Sequence, residues 1–160
     1  MSAGEDDVQL VAFRLAGQDF AFNIFHVERI LRYEAPAPLP KAPDFLEGVL
    51  QYQGRAVALI DLRKRLSVPA PLREETRTVI LESDGGKIGV IVDTVTEVLQ
   101  VGAAQITAPS KIVKGLAAEY ITGLVVKDGR TIIVLNTSQL LNAKEKMALD
   151  SALPAKAKAS

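Results

Sequence analysis

The chain has 160 residues, 48% of them hydrophobic, which suits one domain, or two very small ones sharing a core, and excludes disorder over most of its length. Nineteen basic side chains balance nineteen acidic ones, so no excess positive field favours nucleic acid as a partner. The absence of cysteine excludes disulfides and thiolate metal sites and fits a reducing cytosol. An acidic N-terminus, and the lack of any run of about 18 apolar residues, predict a cytoplasmic protein without membrane insertion.

Both ends of the chain are predicted to be flexible tails, over residues 1–7 and 146–160, because they are rich in small and charged residues. Between them, short apolar stretches alternate with glycine-centred turn signals about every ten residues. This rhythm is typical of a β-barrel or a β-sandwich.

The first elements are predicted to be a β-hairpin that turns at Gly17-Gln18, followed by a short helix over residues 24–32 that Asn23 caps. The helix is predicted because its apolar residues fall at helical spacing. These apolar residues are Ile24, Val27, Ile30 and Leu31.

A proline-rich link over residues 36–43 is predicted to run extended, because proline fits neither a helix interior nor a central strand. The next hairpin is predicted to turn at Gly54-Arg55, and Asp61 to cap a helical turn. Residues 67–75 are predicted to form a loop between two halves of the chain.

The second half is predicted to repeat this plan, with hairpins around 85–86 and 128–129 and a helix that begins at Asn136 or Thr137. One constant offset aligns Gly48 with Gly123, Gly54 with Gly129 and Arg55 with Arg130. A second, slightly shorter offset aligns Phe20 with Ile88, Val27 with Val95, Ile30 with Val98 and Leu31 with Leu99. Two copies of one unit predict two pseudo-equivalent small barrels, over about 13–70 and about 76–142.

No constellation of residues predicts catalysis, a metal or a cofactor. The single histidine, His26, has no cysteine or carboxylate neighbours at ligand spacing and is predicted to be an ordinary surface or half-buried residue. No serine lies in a nucleophile elbow, and no phosphate-binding loop is present. Asp93 follows a strand, and we expect its carboxylate to accept backbone N–H bonds at the next turn. The sequence therefore predicts a protein without enzyme activity.

Four segments, taken in their order and spacing over residues 8–145, resemble the CheW-like coupling proteins. They are FRLAGQDFAFNIFHVERI, LPKAPDFLEGVLQYQGRAVALIDLR, TVILESDGGKIGVIVDTVTEVL and YITGLVVKDGRTIIVLNTSQLL. The resemblance implies a mainly β fold of two five-stranded SH3-like barrels with short helices. It also implies an adaptor that joins the cytoplasmic tip of a chemoreceptor to the regulatory domain of a CheA-type histidine kinase, at receptor arrays.

The chain departs from the pattern of this family at three positions. Arg29 stands where glutamate is usual, Gln53 replaces an arginine, and Ala58 replaces a proline. Because flanking residues keep the pattern, we expect Arg29 and Gln53 to set partner choice rather than stability.

Two adaptor functions stay open. One is a coupling protein tuned to its own receptor and kinase. The other is a divergent adaptor that binds a receptor without direct kinase contact and modulates or insulates a parallel pathway. A third class, a small-molecule-binding barrel or an enzyme, has no motif in its favour.

The receptor-facing surface is expected to be a groove at the seam between the barrels, since small or apolar residues recur there at matching positions. The residues expected in it are Val27, Ile30, Gly48, Val95 and Val98. The alternative for the four apolar side chains is that they pack the two barrels together.

Overall fold

The computed structural model describes residues 7–38, 46–62, 72–83, 86–108 and 121–139. Within these ranges the chain forms ten β-strands and three 3-10 turns. The strands are β1 (Asp7–Leu15), β2 (Gln18–Asn23), β3 (Val27–Arg32), β4 (Leu46–Tyr52), β5 (Arg55–Asp61), β6 (Arg77–Ser83), β7 (Gly86–Val92), β8 (Thr94–Gly102), β9 (Ile121–Lys127) and β10 (Arg130–Leu135). The 3-10 turns are Ile24–His26, Ala103–Gln105 and Thr137–Gln139.

The strands form two five-stranded sheets, which we call the first barrel, in the order β8-β1-β2-β10-β9, and the second barrel, in the order β3-β6-β7-β5-β4. An isolated bridge closes each sheet. In the first barrel the backbones of Thr107 and Leu124 exchange hydrogen bonds of 2.9 and 2.8 Å. In the second barrel Ala37 and Val49 exchange bonds of 3.0 and 2.8 Å. The prediction of a mainly β fold with two five-stranded barrels is confirmed.

The internal repeat is visible in the strand pairing, because each strand of the first half corresponds to the strand five places later. Phe20 on β2 lies opposite Ile133 on β10, and Ile88 on β7 lies opposite Ala58 on β5. The shorter offset read from the sequence relates Phe20 to Ile88, and the longer one relates Ala58 to Ile133. These are also the two parallel pairings among the described strands, so the two barrels share one topology.

The predicted barrel ranges, 13–70 and 76–142, are wrong, because each barrel combines both halves of the chain. The first barrel takes β1 and β2 from the first half and the three strands β8, β9 and β10 from the second. The second barrel takes β6 and β7 from the second half and β3, β4 and β5 from the first. The chain crosses over at the 3-10 turn Ile24–His26, after which β3 pairs with β6 instead of returning to β1.

The helix predicted over 24–32 is also wrong, although its predicted cap exists. The Asn23 side chain accepts a hydrogen bond of 3.0 Å from the backbone N–H of Phe25, but the helical turn ends at His26 and β3 follows. The pairing of β3 with β6 shifts register between Val27 and Arg29, which is a β-bulge. The extra residue changes the alternation of side chains, so the apolar positions of β3 imitate helical spacing.

The three hairpins with described turns are built alike, with two consecutive residues at positive φ, as in a type I′ turn. The turn residues are Ala16-Gly17, Gln53-Gly54 and Asp128-Gly129. The sequence placed the third turn correctly and the first two one residue too late. The second residue is glycine in every case, which explains why glycine marked the hairpins.

A shared core joins the two barrels and contains the buried phenylalanines, and a smaller cluster fills the interior of each barrel. The shared core is made of Phe13, Leu15, Phe20, Phe22, Leu46, Ala58, Ile60, Leu62, Val79, Leu81, Val90, Val92, Ile121, Leu124, Ile133 and Leu135. Phe13 stacks on Phe20 and Phe22, with ring centroids 5.8 and 4.7 Å apart. Burial of this apolar surface holds the barrels to each other.

The described residues include only part of the predicted N-terminal tail and of the helices predicted after Asp61 and Asn136. Asp7, predicted to lie in the N-terminal tail, begins β1 and accepts a hydrogen bond of 2.7 Å from Gln100. Asn136 caps the turn Thr137–Gln139 by accepting from the Ser138 N–H at 3.2 Å. Most of the helical turn predicted after Asp61, and the predicted tail over 146–160, lie outside the described residues.

Candidate functional site

Glu28, the residue inserted at the bulge of β3, lies at one end of the second barrel beside the turn between β4 and β5. We call this end the second mouth. The Tyr52 hydroxyl donates a hydrogen bond of 2.8 Å to one carboxylate oxygen of Glu28, and Lys87 Nζ lies 3.1 Å from the other. The ammonium of Lys87 also lies 5.9 Å from the centroid of the Tyr52 ring. Tyr52 itself belongs to the interior cluster of the second barrel, so it ties the mouth to the core.

These contacts shift two pKa values in opposite directions. The pKa of Glu28 is lowered from its ordinary value, chiefly because the Tyr52 hydroxyl donates to its carboxylate and then because Lys87 does. The pKa of Tyr52 is raised, chiefly because burial disfavours the phenolate and then because its proton is held by Glu28. The carboxylate and the neutral phenol therefore support one another near neutral pH.

Arg29 and Gln53, the two residues that depart from the family pattern, are both exposed at the second mouth. Arg29 lies opposite Ile80 on β6, and its positive charge acts on both Glu28 and Tyr52. Gln53 follows Tyr52 and is the first residue of its turn, with a φ of 52°. Arg29 is thus the neighbour of Glu28 in sequence and Gln53 the neighbour of Tyr52, so both residues flank the hydrogen bond between Tyr52 and Glu28.

The apolar residues expected at the receptor-facing surface divide into two kinds. Val27 and Val95 are half-buried and pack against the shared core. Ile30 and Val98 lie further along β3 and β8 and are exposed, at 39% and 55% of their surface. Ile30 lies opposite Val79 and Val98 opposite Val11, which are pairs related by the repeat.

Gly48 is buried and cannot contact a partner in this conformation. Its φ is 150°, and a Cβ atom there would overlap the carbonyl oxygen of Ala37 in the bridge that closes the second barrel. Gly123 has the matching place in the first barrel, where a Cβ atom would lie 2.7 Å from the carbonyl oxygen of Thr107. Gly48 therefore permits barrel closure.

The corresponding end of the first barrel, which we call the first mouth, carries a network of ion pairs that the sequence reading did not predict. Arg130 Nη2 lies 3.0 Å from Glu97 Oε2, and Arg130 Nη1 lies 3.7 Å from Asp19 Oδ1. Arg14 Nε lies 3.0 Å from the same oxygen of Asp19. The pKa of Arg130 is raised, chiefly by its hydrogen bond to Glu97. A sequence signal for this network was present, because the repeat aligns charged residues of opposite sign in the two barrels.

Of two remaining predicted residues, His26 has the environment that the sequence indicated, and Asp93 accepts a backbone N–H as expected but at a different turn. His26 is half-buried. Asp93 Oδ2 accepts a hydrogen bond of 2.7 Å from the backbone N–H of Ala16, at the left-handed turn between β1 and β2. Phe25 was not singled out from the sequence, and it is 90% exposed on its 3-10 turn.

Among the residues that the structure describes, no group of three or more histidine, cysteine, aspartate or glutamate side chains could hold a metal ion. None of the described helices is long and apolar enough to cross a membrane.

Comparisons with known proteins agree with this architecture. Residues 9–145 match the CheW-like domain. The chain is 30% identical over 154 residues to the chemotaxis protein CheW of Treponema pallidum, covering 91% of this chain and 88% of the relative. It is 31% identical over 144 residues to the protein FrzA of Myxococcus xanthus, covering 88% of this chain and 89% of the relative.

A solved structure has the same fold. The crystal structure of the scaffolding protein TtCheW from Thermoanaerobacter tengcongensis superposes with a TM-score of 0.81 at 26% identity, covering 91% of this chain and 96% of the other. The match spans both barrels and nearly the whole of the relatives. The chain belongs to the CheW-like family of chemosensory adaptor proteins.

Proposed function

We propose that this protein is a non-enzymatic adaptor that joins the cytoplasmic tip of a chemoreceptor to the regulatory domain of a CheA-type histidine kinase. It would work in the cytoplasm, at receptor arrays. The observation that carries the proposal is the pair Ile30 and Val98, two exposed apolar side chains at matching places of a CheW-like double barrel. Contiguous exposed apolar surface is typical of a docking site, and Ile30 and Val98 would each contribute to such a surface.

The receptor contact is assigned to the outer faces of β3 and β8. Each face has one half-buried valine, Val27 or Val95, that anchors the strand on the shared core, and one exposed residue beyond it. The apolar face of a helical hairpin would bury Ile30 or Val98 without disturbing that anchor. The two interpretations of these residues thus apply to different side chains. Val27 and Val95 pack against the shared core, and Ile30 and Val98 are exposed to a partner.

Charged substitutions of the outer pair test this assignment. We expect Ile30→Asp and Val98→Asp to weaken binding of a purified receptor signalling fragment by about tenfold or more, since a buried charge at an interface is costly. Their melting temperatures should stay close to that of the wild type because both positions are exposed. Val126→Asp is the matched control, because Val126 is 66% exposed on β9 rather than on β3 or β8. Equal binding by all four proteins would contradict the assignment.

A second candidate function is an adaptor that binds a receptor without kinase contact. The observation in its favour is the altered charge at Arg29 and Gln53, both exposed at the second mouth. We expect Arg29→Glu combined with Gln53→Arg to leave the melting temperature nearly unchanged, because exposed ion pairs are worth only about 0–1 kcal/mol. The double change should raise affinity for a receptor signalling fragment and a kinase regulatory domain whose own adaptor has glutamate and arginine there.

Binding of wild type and double mutant to these two probes, and to the cognate receptor and kinase, separates the candidates. Binding of the cognate kinase by the wild type supports coupling. Binding of the cognate receptor alone supports the kinase-independent adaptor. Equal affinities of both proteins for every probe would show that Arg29 and Gln53 do not select partners.

A further inference from the structure

The two mouths occupy equivalent places but carry different charges. In the first mouth Glu97, which lies opposite Ala12, pairs with Arg130, which lies opposite Lys127. The repeat places Arg29 at the position of Glu97 and Arg55 at the position of Arg130. An attractive pair in the first barrel is therefore replaced by two like charges in the second.

The second mouth does not compensate these two charges internally. Lys87 stands at the position of Asp19 in the repeat, and its ammonium is taken by Glu28. Arg29 and Arg55 are both exposed, and neither forms an ion pair with any part of the chain that the structure describes. The site thus has three cations and two carboxylates, Glu28 and Glu82. Glu28 is already shared between Lys87 and Tyr52, and Glu82 lies opposite Lys87 on the neighbouring strand, at the position that Arg14 has in the first mouth.

We propose that the second mouth binds a carboxylate side chain of the kinase regulatory domain between Arg29 and Arg55, in place of the missing internal glutamate. The inference deepens the proposed function and rests on it. An arginine pair suits a carboxylate because guanidinium groups donate in a planar fork that matches it. In the first mouth Arg130, which has the place of Arg55 in the repeat, binds a carboxylate at 3.0 Å.

The kinase is the occupant because the mouth and the receptor-facing surface point in different directions. Arg29 lies opposite Ile80, which belongs to the interior cluster, whereas Ile30 lies opposite Val79, which belongs to the shared core. Successive residues of a strand face opposite sides, so one partner can dock on Ile30 while another reaches Arg29. A polyanion is disfavoured because the chain has no net charge and Glu28 lies within the site.

The test measures the affinity of the full chain for the cognate kinase regulatory domain and, separately, for the cognate receptor signalling fragment. We expect Arg29→Gln and Arg55→Gln each to weaken kinase binding by about tenfold at low salt, with a smaller effect at high salt where charges are screened. Because both arginines would contact one carboxylate, the double variant should lose less than the product of the single losses. Receptor binding should not change.

Arg32→Gln is the matched control, because Arg32 is exposed on the same strand and lies opposite Arg77 rather than at the mouth. An Arg32→Gln loss equal to that of Arg29→Gln would overturn the inference in favour of general charge attraction. Unchanged kinase affinity in the Arg29 and Arg55 variants would overturn it while the proposed function stands. Binding of anionic vesicles or duplex DNA with the same dependence on both arginines would also overturn it. If the wild type binds neither the kinase nor the receptor, the proposed function itself fails.

Discussion

At the scale of single residues, Glu28 has the contacts that define the second mouth. Its partners Tyr52 and Lys87 come from β4 and β7, which are distant in sequence. No local sequence pattern predicts these two partners. The bulge that brings Glu28 to Tyr52 and Lys87 exists only once β3 pairs with β6. By contrast, the sequence predicted the role of Asn23, because its side chain bonds to the backbone of the turn that follows it. Asp93 also accepts a backbone N–H, but from Ala16 on a distant turn rather than at the turn after β7, so its partner could not be predicted locally.

The pKa shifts at the second mouth predict how stability depends on pH. The pKa of Glu28 in the folded protein lies below its ordinary value of 4.5, so its contribution is complete above that value and is lost as the pH falls through the folded-state pKa. The pKa of Tyr52 lies above its ordinary value of 10.0, so its contribution is lost as the pH rises through the folded-state pKa. We expect Glu28→Gln to reduce the fall in melting temperature between about pH 5 and pH 3. Glu34→Gln, at an exposed site, is the control, and identical acid limbs for wild type and Glu28→Gln would contradict the expectation.

The hydrogen bond from Ala16 to Asp93 predicts a stability effect. Removing the acceptor leaves the amide of a left-handed turn residue without its carboxylate partner, so we expect Asp93→Ala to lower the free energy of unfolding by about 1–2 kcal/mol. Asp93→Asn keeps an oxygen acceptor and should lose less. Urea unfolding of the three proteins measures this, and equal midpoints for Asp93→Ala and wild type would argue against a stabilising role.

At the scale of elements, hairpins could be predicted and the bulged strand could not. Each described hairpin turn has a glycine at positive φ, which leaves a direct mark in the sequence. The bulge at Glu28 leaves none, and it gave β3 the apolar spacing of a helix. Thr96 occupies the equivalent bulge of β8, where its hydroxyl donates to the Ala12 carbonyl at 3.2 Å.

Closure of the two barrels predicts that the stability of the protein depends on Gly48 and Gly123 to a similar degree. We expect Gly48→Ala and Gly123→Ala each to lower the free energy of unfolding by about 2 kcal/mol or more, because each new Cβ would strike the backbone of a closing bridge. Gly102→Ala is the control, since its nearest neighbour would be Gln105 Oε1 at an ordinary 3.5 Å. Chemical denaturation of all three variants gives the comparison. A loss for Gly102→Ala as large as for the other two would contradict this account.

At the scale of the whole molecule, the repeat was predicted but the exchange of strands was not. The two constant offsets between aligned residues show that two units share one plan. The offsets do not show which strands form one barrel. A strand would bury the same apolar face whether it paired with strands of its own half of the chain or with strands of the other half. Because of this exchange, each barrel contains strands from both halves of the chain. The shared core therefore forms only when both halves are present.

Interleaved halves predict that neither half folds alone. We expect fragments 1–71 and 72–160 each to lack cooperative thermal unfolding, because each supplies only part of either barrel. Mixing them should restore β-structure, as measured by circular dichroism. A fragment 1–71 that unfolds cooperatively by itself would support self-contained barrels instead.

The central claim is that one chain holds a receptor and a kinase at once, on two differently directed surfaces. Size-exclusion chromatography with light scattering, on a mixture of the protein with the cognate receptor signalling fragment and the cognate kinase regulatory domain, measures this directly. We predict a ternary complex whose mass contains all three components and which the protein is required to form. Separate binary complexes that exclude one another, or a receptor and kinase that associate equally well without the protein, would contradict the claim.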